Sequence, residues 1–420
     1  MFPTEPAAVN NGFAALLKNR GFMLLWIGQL VSQLADKVFF VLLVALLKYY
    51  VPPAGVPEKF MYTILMVVFT IPAILFGSAG GIFVDRFPKK LIMIGSDVVR
   101  GLFTMAIPFL PREFLLLLFI TFAISTVTQF FAPAEQAAIP LLVRRENLIA
   151  ANALFSSTMM GALIVGFLVG EPLLSLAKDW IGEDYGQELV VGLLYLLSAV
   201  IMQPINFKEK KHIEEKQPVI HPWADFKEGL RYLTKNRLVL NAMLQLVTLY
   251  CVFAALMVLA IPLTAEFGLE EKKFGQFLAA AGVGMVFGAG ILGQWGERCH
   301  HKPLPLIGFL SMALVLGMFT FTHSLPLAIG LCILLGVGAA LVGVPMQTLI
   351  QQQTPPAMHG KVFGFQNHAV NIALSAPLAI TGWLTETLGL RIVLVGMSLV
   401  VATVGLWAWQ NTRRVLQDVI

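Results

Sequence analysis

The sequence predicts an all-α membrane protein of twelve transmembrane helices arranged as two six-helix pseudo-symmetric halves. Three observations predict it. Of 420 residues, 57% are hydrophobic and only 13% charged, about half the charged share of a soluble domain, so lipid has to cover the surface. Apolar runs of bilayer-crossing length recur along the chain. The basic residues fall mostly on alternate sides of those runs.

The runs read as spans at 21–47, 60–84, 91–110, 113–134, 150–176 and 187–206, then 238–263, 271–293, 303–321, 325–349, 361–384 and 390–410. The first is too long for a signal-peptide core and reads as a retained span. Pro111-Arg112-Glu113 and His323-Ser324 mark very short turns.

The long hydrophilic insert at 207–237 separates an N-terminal half, 1–206, from a C-terminal half, 238–420. It opens with the charged linker Lys208-Glu209-Lys210-Lys211-His212. It continues with Trp223, Phe226, Leu230 and Leu233 at helical spacing, an amphipathic helix suited to the membrane surface.

Orientation follows from the basic residues. With both termini cytoplasmic, the inner segments hold Lys18, Arg20, Arg86, Lys89, Lys90, Arg144, Arg145, the basic run of the insert, Arg298, Lys302, Lys361, Arg413 and Arg414. The outer loops hold Lys48, Lys59, Arg112, Lys178, Lys272, Lys273 and Arg391. The net charge of +5 is therefore mostly topological and does not call for a nucleic-acid partner. Cys251, Cys299 and Cys332 lie far apart and suggest neither a metal site nor a disulfide framework.

Two loops repeat each other. Gly81-Ile-Phe-Val-Asp85-Arg86-Phe-Pro-Lys89-Lys90 follows span 2, and Gly293-Gln-Trp-Gly-Glu297-Arg298 followed by Lys302 comes after span 8. Both read Gly-x-x-x-acid-Arg at the same place in a six-span half. Internal duplication of this kind is a hallmark of secondary transporters, with the substrate site between the halves.

The first loop resembles the signature motif of the major facilitator superfamily, with Pro88 where a Gly is usual. Further segments are similar to the branch containing macrolide efflux proteins and the enterobactin exporter. They are Leu25-Trp26-Ile-Gly28-Gln29 to Asp36, Asp97-Val-Val-Arg100, Phe131-Ala-Pro133-Ala-Glu135 to Pro140, Ala150-Ala151-Asn152-Ala153-Leu154 and Glu228-Gly229-Leu230-Arg231-Tyr232. The resemblance implies export of a hydrophobic or amphipathic small molecule, of drug, macrolide or siderophore type. Lysophospholipid transporters are more distant members, so lipid translocation is the alternative. It also implies a latch between spans 2 and 11, built on Gly81, Asp85, Arg86, Lys89 and Lys90, with Glu135 as a partner for Arg86.

The residue types support such a latch. An acid at a helix junction can accept N–H groups from a nearby helix N-terminus, and Arg can bridge to a carboxylate. Asp36, mid-span beside Ser32, Gln33 and Lys37, is too costly to keep in lipid without a role. It can carry a coupling proton, contact substrate, or form a structural pair with Lys37 or another helix. Asp97 and Arg100 stand three residues apart and can pair with each other or with the Asp85 loop. Glu171, in Gly161-x4-Gly166-x3-Gly170-Glu171-Pro172, is a second proton-site candidate, although these glycines also suit plain helix packing. His368 is a third candidate. Gln33, Asn241, Gln245, Gln347, Gln366, Asn367 and Asn371 are candidate polar residues of the cavity.

No HExxH or GxSxG pattern points to an enzyme, and no GxxxxGK[ST] loop points to an ATP-driven pump. The expected protein is a monomeric multi-pass exporter of a bacterial-type inner (plasma) membrane, surrounded by its lipids. It would use no cofactor or metal, with the proton gradient as driving force.

Overall fold

The computed structural model describes residues 12–51, 60–207, 222–266, 275–295, 303–322 and 324–417. Twelve long helices form the bundle: α2 (Arg20–Leu46), α3 (Met61–Arg86), α4 (Lys89–Ala106), α5 (Phe114–Leu142), α6 (Leu148–Ile181), α7 (Gly186–Met202), α9 (Arg237–Glu266), α10 (Gly275–Trp295), α11 (Leu304–Phe319), α12 (Leu325–Gln353), α13 (His359–Leu388) and α14 (Leu390–Gln417). The short α1 (Phe13–Leu17) precedes them, and α8 (Pro222–Lys235) lies between α7 and α9.

Eight of these helices are individually long and apolar enough to cross a bilayer. The last part of α6 meets α7 at 113° across residues 182–185. α11 is apolar but spans only 16 residues. Gln366, Asn367, His368 and Asn371 interrupt the apolar run of α13. Exposed Leu115, Phe119, Leu193, Leu314 and Leu399 make sense only against lipid.

α5 runs to Leu142 rather than ending near 134, carrying Pro133 and Pro140 inside it. Proline is tolerated in a membrane helix because neighbouring groups satisfy what it frees. Asn19 caps α2 through the N–H of Phe22 at 3.1 Å, and its amide donates to the Leu142 carbonyl at 2.7 Å. That one side chain therefore fixes the start of α2 on the end of α5.

α2 packs on α6 and α7, and α4 on α5 and α7; α9 packs on α12, α13 and α14, and α11 on α12 and α14. Across the joint the second helix of each half meets the fifth of the other: α3 against α13 and α10 against α6. α8 is not simply laid on lipid. It packs on α3, α9 and α13, with Leu233 buried and Leu230 exposed.

Candidate functional site

Inside the first half, four helices converge on one guanidinium. Arg100 of α4 is wholly buried. One terminal nitrogen donates to Asp36 of α2 at 2.9 Å and to Thr128 of α5 at 3.5 Å. The other donates to Ser32 at 3.0 Å and to Asp97 one turn earlier. Ser198 of α7 and Ser32 donate to Asp97 at 2.6 and 3.1 Å. Tyr195 of α7 donates to Asp36 at 2.8 Å. The rings of Phe131 and Tyr195 lie against the guanidinium at 4.6 and 4.7 Å. Such pairing and bonding is what allows charge inside a bundle.

Asp36 thus takes the third of the roles open to it in sequence, a pair with another helix. The pair is with Arg100 rather than Lys37, since neighbours in a helix point apart. Its side chain is nevertheless 21% exposed, whereas those of Arg100 and Asp97 are fully buried. Of the three charges bonded here it is the one with open surface. Asp97 and Arg100 pair with each other and not with the Asp85 loop.

The second assembly is the joint of α3 and α13. Asp85 accepts the backbone N–H of Lys361 at 2.8 Å and that of Gly360, so its carboxylate sits on the first turn of α13, where the helix dipole favours an anion. The contact needs glycine. A Cβ on Gly81 would fall within the backbone of Gly360 and Gly364, and one on Gly364 within that of Gly81. Lys361 also sends its ammonium to Glu228 of α8 at 2.7 Å, and Gly229 rests against the Phe365 ring. Pro88 is the extended N-cap residue of α4, and the turn requires no positive φ, which is why proline serves where glycine is usual.

Glu135 does not join this latch. It is buried with its Oε1 unpartnered, and the charges acting on it are Asp97, Arg100 and Asp36. Sequence placed it beside Arg86, but its position seven residues inside the end of α5 turns it toward Arg100. Arg86 and Lys89 each make other contacts.

Polar ties join the halves near the Asp85 end. Asn367 and Asn371 donate to Gln129 of α5 at 3.1 and 3.4 Å. Asn152 of α6 donates to Thr348 and Gln351 of α12 at 3.0 and 2.7 Å. Gln366 bonds Gln347 within the second half. His368 packs on Gly77, and its Nδ1 is buried without a partner. Gln129, Asn152 and Gln351 were not singled out in the sequence; their signal is only that each is an amide within an apolar run.

One cavity candidate is corrected. Asn241 is 1% exposed and donates to the Ala408 carbonyl at 3.1 Å and to Thr412, so it faces α14 and not the joint. Gln245 is likewise buried. Gln33 is half-buried and Glu171 exposed. In the repeat of the first loop, Gly293 holds the ring of Phe13 from α1, while Glu297 and Arg298 lie outside the described residues. A small pocket lies in the second half, lined by Leu259, Leu263, Phe277, Cys332 and Leu335. It is apolar and remote from Asp36.

The family model of the major facilitator superfamily matches residues 25–376. The chain belongs to the major facilitator superfamily. A Bacillus subtilis (strain 168) protein assigned as a bacilysin exporter, BacE, is 26% identical over 359 residues, covering 83% of this chain and 84% of its own. The enterobactin exporter EntS of Escherichia coli is 27% identical over 295 residues, covering 68% and 67%. The crystal structure of the human organic anion transporter MFSD10 superposes with a TM-score of 0.72 at 16% identity, covering 94% of this chain and 99% of that one.

The fold is therefore the facilitator fold of twelve membrane-spanning helices in two halves, in a multi-pass membrane protein of a family of transporters and not of enzymes. In facilitator terms, the Asp85 loop is the first-half signature, and it meets α13 across the joint between the halves.

Proposed function

We propose that this protein exports an amphipathic small molecule by alternating access, driven by inward proton flow through the first half. The observation that carries the reading is the pair of Asp36 and Arg100: a partly exposed carboxylate whose only cation is wholly buried. Protonation of Asp36 removes one of the two carboxylates that hold Arg100 and leaves the buried guanidinium on Asp97 alone. The helices holding it then have reason to rearrange. BacE and EntS, named as a bacilysin and an enterobactin exporter, support outward transport of a small molecule.

Asp85 acts as the gate of this cycle. Its bonds to the first turn of α13, with the amide ties of Gln129 and Asn152, hold the Asp85 end shut and leave the other end to admit or release substrate. The basic residues favour a plasma-membrane protein with both termini, and hence the Asp85 end, in the cytoplasm. The protein works as a monomer with no cofactor beyond the proton gradient.

The test is proton movement in proteoliposomes loaded with a pH-sensitive dye and challenged in turn with a macrolide, a siderophore and a lysophospholipid. A substrate-dependent signal that disappears in Asp36→Asn is the expected result. Lysophospholipid flipping with no proton signal would replace this reading with lipid translocation.

A further inference from the structure

The first half holds more acid than its cation neutralises. Asp36 and Asp97 hold Arg100, and Glu135 lies within reach of the charges of all three. Asp36 and Asp97 are both bonded to the guanidinium, and Asp97 is satisfied on both oxygens by serine hydroxyls as well. Those two carboxylates already exceed its charge by one. Glu135 is 6% exposed, and its Oε1 has no hydrogen-bond partner. It stands one turn beyond Phe131, whose ring lies on the guanidinium, so it shares the Arg100 face of α5. The Nε of Arg100 is also buried and unpartnered. An unused donor and an unused acceptor therefore face the same interior.

An ionised Glu135 here would be a bare anion in a site already negative, at a cost of several kcal/mol. Other titratable groups on helices beside α5, among them Lys37 of α2, Asp85 and Arg86 of α3, Lys89 and Lys90 of α4, Glu171 of α6 and His359, Lys361 and His368 of α13, are not among the charges acting on it.

We propose that Glu135 carries a proton in this conformation and is the alternate anionic partner of Arg100, ionising when Asp36 is neutralised. The exchange balances. A proton arriving from the open side bonds to Asp36 and frees one terminal nitrogen of Arg100, while the other stays on Asp97. The guanidinium turns to Glu135, whose O–H bond breaks. That proton leaves to water at the Asp85 end once the end opens, so one proton enters, one leaves, and the charge of the half is unchanged.

This rests on Asp36 being the coupling carboxylate, but its test needs neither substrate nor gradient. Infrared spectra of the purified full chain in lipid at neutral pH are compared for wild type, Glu135→Gln and Asp36→Asn. The expected result is a protonated-carboxyl stretch in wild type that is missing in Glu135→Gln. In Asp36→Asn it falls about tenfold, because Arg100 has then turned to Glu135. If Glu135→Gln does not fold, Glu135→Asp moves the same band instead. A wild type without the band, a band untouched by both Glu135 variants, or one undiminished in Asp36→Asn overturns the proposal. Any of these leaves proton-coupled export standing. Conversely, proteoliposomes that show no coupling leave the infrared assignment intact.

Discussion

Arg100 reaches Asp36 at 2.9 Å across 64 positions of sequence, and the two ends of that bond differ in kind. The guanidinium is sealed in protein; the carboxylate keeps a fifth of its side chain open. A bond with one open end can be broken from outside.

Asp36→Asn therefore keeps the fold, because the amide oxygen can still accept from Tyr195 and Arg100 stays paired with Asp97, yet it removes the charge that titrates. Membrane expression and melting close to wild type, with coupled transport abolished, are expected. Normal substrate-driven proton movement by this variant would refute the role of Asp36.

Asp97 is the buried counterpart. Asp97→Ala strips the acceptor from Arg100, Ser32 and Ser198 together and leaves a sealed cation short of its anion. The expected loss is about 3–5 kcal/mol, read as a lowered unfolding midpoint in detergent. A melt matching wild type would show that the network is not structural.

At the gate, Asp85→Asn loses the anion on the first turn of α13, worth about 0.3–2 kcal/mol. The amide can still accept one N–H. Slower cycling with substrate affinity preserved is the expected kinetic result. A fall in affinity with an unchanged rate would place Asp85 in binding instead.

Backbone contact sets a harder limit. Gly364→Val cannot seat against Gly81, so spin labels on the ends of α3 and α13 should report a wider separation than in wild type. Gly290→Ala, at a position with open space around its missing Cβ, should leave the distances unchanged. Equal distances in both variants would mean that the joint does not depend on the glycine contact.

α8 offers a graded test. The Glu228 side chain is 59% exposed in its pair with Lys361, so Glu228→Gln should cost under about 1 kcal/mol. Gly229→Leu puts a side chain where the Phe365 ring lies and should undock α8. Proteolysis between 207 and 237 measures this: rapid cleavage in Gly229→Leu and little change in Glu228→Gln. The reverse order would show that the ion pair, not the close contact, holds the helix.

Much of the architecture was legible because membrane crossing leaves a coarse signal. Runs of apolar residues and the distribution of Lys and Arg are one-dimensional facts, and the Gly81-to-Arg86 motif carries its own geometry. What a side chain faces is not one-dimensional. Asp36 and Lys37 adjoin in sequence and point apart, while Asp36 and Arg100 meet only once α2 and α4 are packed. Glu135 was set beside Arg86 because both lie near the same end of the bundle; the rotation of α5, fixed by its packing, sends it elsewhere. Asn241 reads as a cavity residue until α14 supplies its acceptor. α5 outruns the apolar run that set its span at 113–134, continuing through Pro133 and Pro140 to Leu142.

The network around Arg100 also bears on how the chain is made. Asp36 is synthesised 64 residues before the arginine that neutralises it, and 159 before the tyrosine that completes its bonding. Until α7 emerges, α2 and α4 carry charges without their full set of partners. All of those partners belong to the first half, so it can close over its own charges before the second half leaves the ribosome. The second half then has only to dock, chiefly through amides, backbone N–H groups and glycine surfaces, against a partner whose buried charges are already bonded to one another.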